Sequence, residues 1–191
     1  MIDSHCHLEM FKKELPDVIR RSFDAGVNTI ITVSSDPESI EQAVKIADDY
    51  PMVYATVGLH PHDADKLNNE ILKRIFELSR HPKVIAIGEI GLDYHYDYSP
   101  RHIQQSAFAR QLELARDVGL PVVVHSREAF EDTIKILKES GVNKGVMHCF
   151  GGNIKQVKEA IELGFFISIS GVITFKNAQK IKEVVKYIPD E

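Results

Sequence analysis

The chain has 191 residues, of which 43% are hydrophobic and 27% are charged, and its formal net charge is −5. This composition indicates one globular domain over residues 1–191, and the acidic balance argues against a protein that holds nucleic acid on a broad basic surface. The charge does not exclude an enzyme that binds the phosphate groups of a nucleic acid through metal ions. No apolar run approaches the roughly 20 residues that a bilayer demands, and no leader precedes Ile2, so we expect a cytoplasmic protein without membrane contact.

Strand-like and helix-like segments alternate along the chain. Apolar and β-branched runs predict strands at 2–7, 27–34, 52–60, 84–89, 121–125, 145–150 and 165–170. Apolar residues at helical spacing predict helices at 15–25, 35–50, 67–79, 99–118, 128–140, 154–163 and 178–188. Seven such units in succession predict a parallel sheet with helices outside it, either an open doubly wound sheet or a β/α barrel.

Polar side chains recur where these predicted strands end. Alternation along the first strand places His5 and His7 on one face. Four further strands end at His60, Glu89, His125 and His148. A β/α barrel assembles its active site at that end from several strands, whereas an open sheet more often uses one crevice, and no glycine-rich phosphate loop follows the first strand. The sequence therefore predicts an α/β fold of the TIM barrel type.

These residue types are typical of a divalent metal site. Neutral imidazole is the commonest ligand for zinc-like ions, and a carboxylate at the end of an apolar strand needs a cation or another partner. Glu89 could bridge two ions with its two oxygens. The alternatives are histidines that make their hydrogen bonds within the core and histidines that are exposed to solvent. Cys149, which would point away from His148 on a strand, is expected to be a packed thiol.

Five motifs carry a resemblance to a known family. They are Ile-Asp-Ser-His-Cys-His-Leu at 2–8, Val-Gly-Leu-His-Pro-His at 57–62, Gly-Glu-Ile-Gly-Leu-Asp-Tyr at 88–94, Val-His-Ser-Arg at 124–127 and His-Cys-Phe-Gly-Gly at 148–152. In order and spacing the chain resembles the TatD family of metal-dependent hydrolases. The resemblance implies a metallo-dependent hydrolase barrel, with deoxyribonuclease activity in several members and action on aminoacyl-tRNA in others.

The resemblance also implies a ligand set. His5 and His7 would hold one divalent cation, His125 and His148 would hold the other, and Glu89 would bridge them. Family members continue into an eighth strand that ends in an acidic ligand, and Asp190 is not assigned that role. Seven strands leave a barrel unclosed. We therefore expect a truncated product, with an eighth strand from a partner chain as the alternative.

For the complete site we expect hydrolysis of phosphodiester bonds, with DNA as the expected substrate and no obligate protein partner. Two divalent ions, zinc, manganese or magnesium, would share a bridging hydroxide, and Glu89 would be the catalytic carboxylate. His60, His62 and Arg127 are expected to contact substrate, Arg127 because its planar fork matches two phosphate oxygens. The alternatives are an amidohydrolase-like enzyme acting on a small molecule or an aminoacyl-tRNA ester, and a noncatalytic metal-binding protein.

Overall fold

The computed structural model describes residues 1–189, so Asp190 lies outside the described residues. Within that range seven strands form one sheet, in which each strand pairs in parallel with the next along the chain. The strands are β1 (Ile2–Cys6), β2 (Thr29–Val33), β3 (Val53–Val57), β4 (Val84–Asp93), β5 (Val122–Arg127), β6 (Gly145–Met147) and β7 (Phe165–Ile167). The predicted alternation of strands and helices is confirmed.

The helices lie between the strands and after the last one. They are α1 (Leu15–Asp24), α2 (Pro37–Asp49), α3 (Asn69–Leu78), α4 (Arg101–Val118), α5 (Phe130–Ser140), α6 (Ile154–Glu162) and α7 (Gln179–Val185). Helix α2 starts where the Asp36 side chain accepts a hydrogen bond from the Ser39 amide. Helix α4 ends at Gly119, whose φ of 73° is a left-handed conformation that glycine adopts without steric cost.

The sheet curls into an incomplete barrel. In a flat sheet β1 and β6 would lie about 24 Å apart, since neighbouring strands are spaced by about 4.8 Å. The ring of His5, on β1, nevertheless stacks on that of His148, just after β6, with ring centres 3.4 Å apart. Among residues 1–189, β1 pairs only with β2 and β7 only with β6, so the ring of strands is open between β1 and β7. The TIM-type architecture is confirmed, whereas the single domain over 1–191 stays a prediction.

Several predicted strand ends differ from the observed ones, and three of them, in β3, β4 and β6, lie next to the site. Strand β3 ends at Val57 rather than near His60, because a 3-10 helix follows at Pro61–Lys66. Strand β6 ends at Met147, before His148. Strand β4 runs to Asp93, four residues beyond Glu89, because β5 continues beside it and pairs Asp93 with Arg127. This extension brings a second buried carboxylate into the site.

Candidate metal centre

Glu89 is the centre of the site. It lies in β4, where its side chain is only 5% exposed. One carboxylate oxygen, Oε2, lies 3.3 Å from Nε2 of His5 and 4.0 Å from Nε2 of His7. The other, Oε1, lies 3.0 Å from Nδ1 of His125 and 3.9 Å from Nε2 of His60. Three strands, β1, β3 and β5, and the segments that follow them thus direct imidazoles at the two oxygens of one buried carboxylate.

Ligand atoms in this cluster fall into two groups that share Glu89. His5, Glu89 and His148 form one group, and their ligand atoms lie within 4.8 Å of one another. His60, Glu89 and His125 form the second group by the same measure. The structure therefore places His148 beside His5, whereas the resemblance implied that His148 and His125 share an ion.

The surroundings of His5 fit a bound metal ion. Both of its ring nitrogens are buried, and neither has a hydrogen-bond partner in the part of the chain that the structure describes. Its Nε2 approaches Glu89 without hydrogen-bond geometry. A buried polar atom without a partner costs about 1–3 kcal/mol, a cost that a ligand bond to a cation would remove. The imidazole and carboxylate donors are those that zinc and manganese accept.

His7 lies just beyond β1 and is held in one tautomer. Its Nδ1 lies 2.9 Å from the carbonyl oxygen of Val33, which can only accept, so Nδ1 carries the proton and Nε2 keeps its lone pair. That Nε2 is the atom on the Glu89 side of the ring. A hydrogen bond to Glu9 raises the pKa of His7, against the opposing effect of burial. The rings of His5 and His7 lie side by side, with centres 5.3 Å apart, and their role as a ligand pair stays a prediction.

His60 is close to Glu89 but its tautomer makes it a poor ligand. The backbone amide of His62 donates to Nδ1 of His60 at 3.2 Å, which places the remaining proton on Nε2, the nitrogen near Glu89. Burial lowers the pKa of His60 to about 3, so the ring stays neutral. This arrangement fits a residue that supports the cluster or contacts substrate, in keeping with the expectation from the sequence.

Asp93 also belongs to the site, although the pattern of predicted strand ends did not single it out. Its Oδ2 lies 2.9 Å from Nε2 of His125 and 3.1 Å from Nε2 of His62. Its Oδ1 accepts hydrogen bonds from the backbone amides of His95 and Tyr96. These contacts hold the pKa of Asp93 well below its usual range although burial opposes the charge. One carboxylate thus orients two imidazoles and the loop after β4.

Charge in the cluster is unevenly distributed. Burial alone would raise the pKa of Glu89, but His125 and His5 outweigh it and hold that pKa well below the usual range. Burial also opposes a charge on His125, yet its hydrogen bonds to Asp93 and Glu89 raise its pKa to about 9. Burial, with repulsion from His5, lowers the pKa of His148 to about 4. In the metal-free protein near pH 7, the ionised carboxylates of Glu89 and Asp93 therefore flank the imidazolium of His125.

We expect this pattern to appear directly in the titration of the metal-free protein. NMR signals of His125 should titrate near pH 9, whereas His60 and His148 should stay neutral down to about pH 5. Asp93→Asn should lower the pKa of His125, because the change removes an anionic acceptor. Since a protonated imidazole cannot bind a metal, metal affinity should rise with pH up to about 9. Titration of His125 below pH 7 in the unmodified protein would contradict this charge distribution.

The remaining predicted substrate contacts lie on the rim of the cluster. His62 is 30% exposed, and its ring faces His60, with ring centres 4.3 Å apart. Arg127, at the end of β5, is exposed and forms no ion pair within residues 1–189. It borders a cavity of about 630 Å³ between the segments that follow β5 and β6, which His125 and His148 also line. The cluster is thus open to a ligand from this side.

The prediction that Cys149 is a packed thiol was wrong. The residue is exposed, with a φ of 45°, and its Sγ lies 2.9 Å from Oγ of Ser170. The prediction assumed that the strand continued past His148. Because β6 ends at Met147, the alternation of side chains no longer applies two residues later.

A curled ring of parallel strands with buried imidazoles and a carboxylate at their carboxyl ends defines a metal-dependent hydrolase of the β/α-barrel class. A profile of the family described as TatD related DNase matches residues 2–191. The chain therefore belongs to the TatD-related DNase family. Among residues 1–189 no helix is both long and apolar enough to cross a membrane.

Individual relatives agree with this assignment. The uncharacterized metal-dependent hydrolase YabD of Bacillus subtilis is 44% identical over 195 residues, which cover all of this chain and 76% of that protein. The 3'-5' ssDNA/RNA exonuclease TatD of Shigella flexneri is 35% identical over 185 residues, covering 95% of this chain and 71% of the relative. The crystal structure of YJJV, a TatD homolog from Escherichia coli, superimposes with a TM-score of 0.92 at 34% identity, covering 99% of this chain and 75% of that one.

Proposed function

We propose that this chain hydrolyses phosphodiester bonds in single-stranded nucleic acid, with DNA as the expected substrate. The observation that carries the proposal is the buried Glu89 carboxylate, whose two oxygens face different imidazoles, Oε2 that of His5 and Oε1 that of His125. A relative at 35% identity is named as a single-stranded DNA and RNA exonuclease. The exposed guanidinium of Arg127 beside the cluster supports a phosphate-containing substrate.

The proposed centre holds two divalent ions, either zinc, manganese or magnesium. Its ligands are His5, His7, Glu89, His125 and His148. The two oxygens of Glu89 support a pair of ions rather than one, because His5 lies 3.3 Å from Oε2 and His125 lies 3.0 Å from Oε1. When bound, such ions lower the pKa of a water molecule and neutralise charge on the phosphate oxygens.

The chain's own residues supply charge and position. Glu89 is the catalytic carboxylate, because it stays ionised at the centre of the cluster. His7 presents Nε2 in a fixed tautomer, and Asp93 fixes the ring of His125. Arg127 holds two oxygens of the phosphate, while His62 and His60 line the approach to it.

A substrate panel tests this function against the amidohydrolase-like alternative. The protein is loaded with one metal at a time and assayed on single-stranded DNA, RNA, an amide and a lactone, with a chelated sample as the control. Cleavage of the oligonucleotides alone, lost on chelation, is the expected result. Turnover of the amide or the lactone without cleavage of either oligonucleotide would overturn the proposal. Metal binding without any turnover would favour a noncatalytic protein.

Arg127→Ala is expected to reduce kcat/KM on single-stranded DNA by about 10- to 100-fold, the usual effect of losing a charged hydrogen bond. Arg127→Lys should recover only part of the loss, since it restores the charge without the planar fork. Arg110→Ala is the matched control, because Arg110 lies on α4 and bonds Asn69. An unaltered kcat/KM in Arg127→Ala would remove this residue from the substrate site.

Cytoplasmic location and the lack of an obligate protein partner stay predictions from the sequence.

A further inference from the structure

Two tyrosines beside the metal centre are unusually exposed. Tyr96 and Tyr98 lie in the loop that joins β4 to α4, and they are 46% and 66% exposed. Their rings stack on each other with centres 5.2 Å apart and planes 17° apart. Exposed aromatic rings that cluster on a surface mark a binding site more often than single exposed ones do. The pair therefore forms an exposed aromatic surface, two stacked rings deep, at the edge of the site.

This surface is continuous with the metal centre. The ring of His62 lies 4.7 Å from that of Tyr98 and 5.5 Å from that of Tyr96, measured between ring centres. His62 in turn lies 6.3 Å from the ring of His125, which contacts Glu89. The guanidinium carbon of Arg127 lies 4.8 Å from the centre of the Tyr96 ring. A cation that can hold a phosphate thus lies against an aromatic face.

The loop that carries the tyrosines is held in place from both ends. At its start, Oδ1 of Asp93 accepts hydrogen bonds from the amides of His95 and Tyr96 at 3.0 and 2.9 Å. At its end, the buried Ser99 hydroxyl donates to the carbonyl of His62 at 3.0 Å. The buried Gln104 amide donates to the carbonyls of both Asp93 and Ser99. The rings are therefore positioned before any substrate arrives, which lowers the entropic cost of binding to them.

The chemistry of this surface matches a nucleobase. In the described residues neither tyrosine hydroxyl makes a hydrogen bond, so what the pair offers is its aromatic face. A base stacks on such a face whatever its sequence, but only if it is not already stacked in a duplex. A base next to a phosphate at Arg127 would reach these rings within one nucleotide.

We propose that Tyr96 and Tyr98 form a stacking platform for an unpaired nucleobase of the substrate, adjacent to the phosphate held at the metal centre. The proposal rests on the proposed function, because it names how that same site would select single-stranded nucleic acid. The platform makes the enzyme prefer unpaired over paired ends and tolerate any base there. Tyr98, the more exposed ring and the one nearer to His62, carries most of the contact.

A fluorescent base tests the stacking without relying on turnover. The metal-loaded protein is titrated into phosphorothioate-linked single strands that carry 2-aminopurine at one end or the other, since 2-aminopurine loses fluorescence when it stacks. We expect quenching at one of the two ends. The protein concentration at half-saturation should rise about tenfold or more for Tyr98→Ala and for the Tyr96→Ala, Tyr98→Ala double variant. Tyr98→Phe should behave as the unmodified protein does, because it keeps the ring.

Tyr187→Ala is the matched control, since Tyr187 is also 46% exposed but lies after α7, against Lys158. It should leave the quenching unchanged. Circular dichroism and urea unfolding check that each variant is folded. Absence of quenching at both ends with the unmodified protein, or equal half-saturation for Tyr98→Ala and Tyr187→Ala, would overturn the platform.

Kinetics supply a second readout. On a single strand of natural nucleotides, Tyr98→Ala should raise KM about tenfold or more. On a strand in which the terminal nucleotide at the quenched end is abasic, the two proteins should show nearly the same KM, because no base is present to stack. An equal increase in KM on both substrates would overturn the platform. Quenching with the unmodified protein but no cleavage of any phosphodiester would leave the platform standing and defeat the proposed function instead.

Discussion

Glu89→Gln is expected to lower kcat/KM for phosphodiester hydrolysis by at least about 1,000-fold, because the proposed metal centre loses its central negative charge. Glutamine has nearly the same shape, so the change removes the negative charge and leaves the packing. That charge is 5% exposed and lies 3.0 Å from His125 and 3.3 Å from His5. Without that charge the mutual repulsion of two cations is no longer offset at the centre of the site, so elemental analysis should show less bound metal per chain.

The control for this variant is Glu113→Gln, on the exposed face of α4, where the side chain is 66% exposed. It should keep both metal and activity. Because removing one partner from a buried charged group can itself destabilise a protein by about 3–5 kcal/mol, urea unfolding must show that Glu89→Gln is folded under assay conditions. Full turnover by folded Glu89→Gln would refute the metal mechanism.

Gly91→Ala is expected to lower the free energy of unfolding by about 3 kcal/mol, combining a steric collision with backbone strain. Gly91 has a φ of 142° and pairs with His125 across β4 and β5. An added Cβ would collide with the carbonyl oxygen of His125. The strands must separate to relieve the collision, and this displaces a proposed metal ligand, so activity should fall as well. Unfolding in urea, followed by circular dichroism, measures the change.

Gly119→Ala isolates the strain from the collision. Gly119 also has a positive φ, 73°, but nothing lies within 4 Å of the position that its Cβ would take. This variant should lose only about 1 kcal/mol and keep its activity. Equal losses in the two variants would show that the close approach of β4 to β5 at Gly91 does not matter for stability.

The fold could be predicted from the sequence because each unit carries its own local signals. Apolar runs, helical spacing and residues such as Gly119 mark every strand and helix without reference to the rest of the chain. The positions of His5, Glu89, His125 and His148 at strand ends then distinguish a barrel from an open sheet, and the structure brings these four together. Parallel strands gather their carboxyl ends whatever their separation in sequence.

The sequence did not predict the directions in which side chains point at the carboxyl ends of the strands. Asp93 was missed because β4 was expected to end at Glu89, and its role depends on pairing with β5, which is a long-range contact. The spacing of four residues between two carboxylates in one motif was the only available signal. The exposure of Cys149 follows from a turn that no pattern in the sequence marks. Likewise the tautomer of His60 is set by a backbone amide two residues away, which depends on the bend at Pro61.

The double use of Asp93 limits how this enzyme could be redesigned. One of its oxygens faces the imidazoles of His62 and His125, and the other anchors the amides of the loop after β4. A grafted loop of another length, chosen to alter substrate preference, would displace the Asp93 carboxylate. That carboxylate also orients the imidazoles, so their positions would change as well. Changes at the tips of the tyrosines are therefore a safer starting point for engineering specificity than exchange of the whole loop.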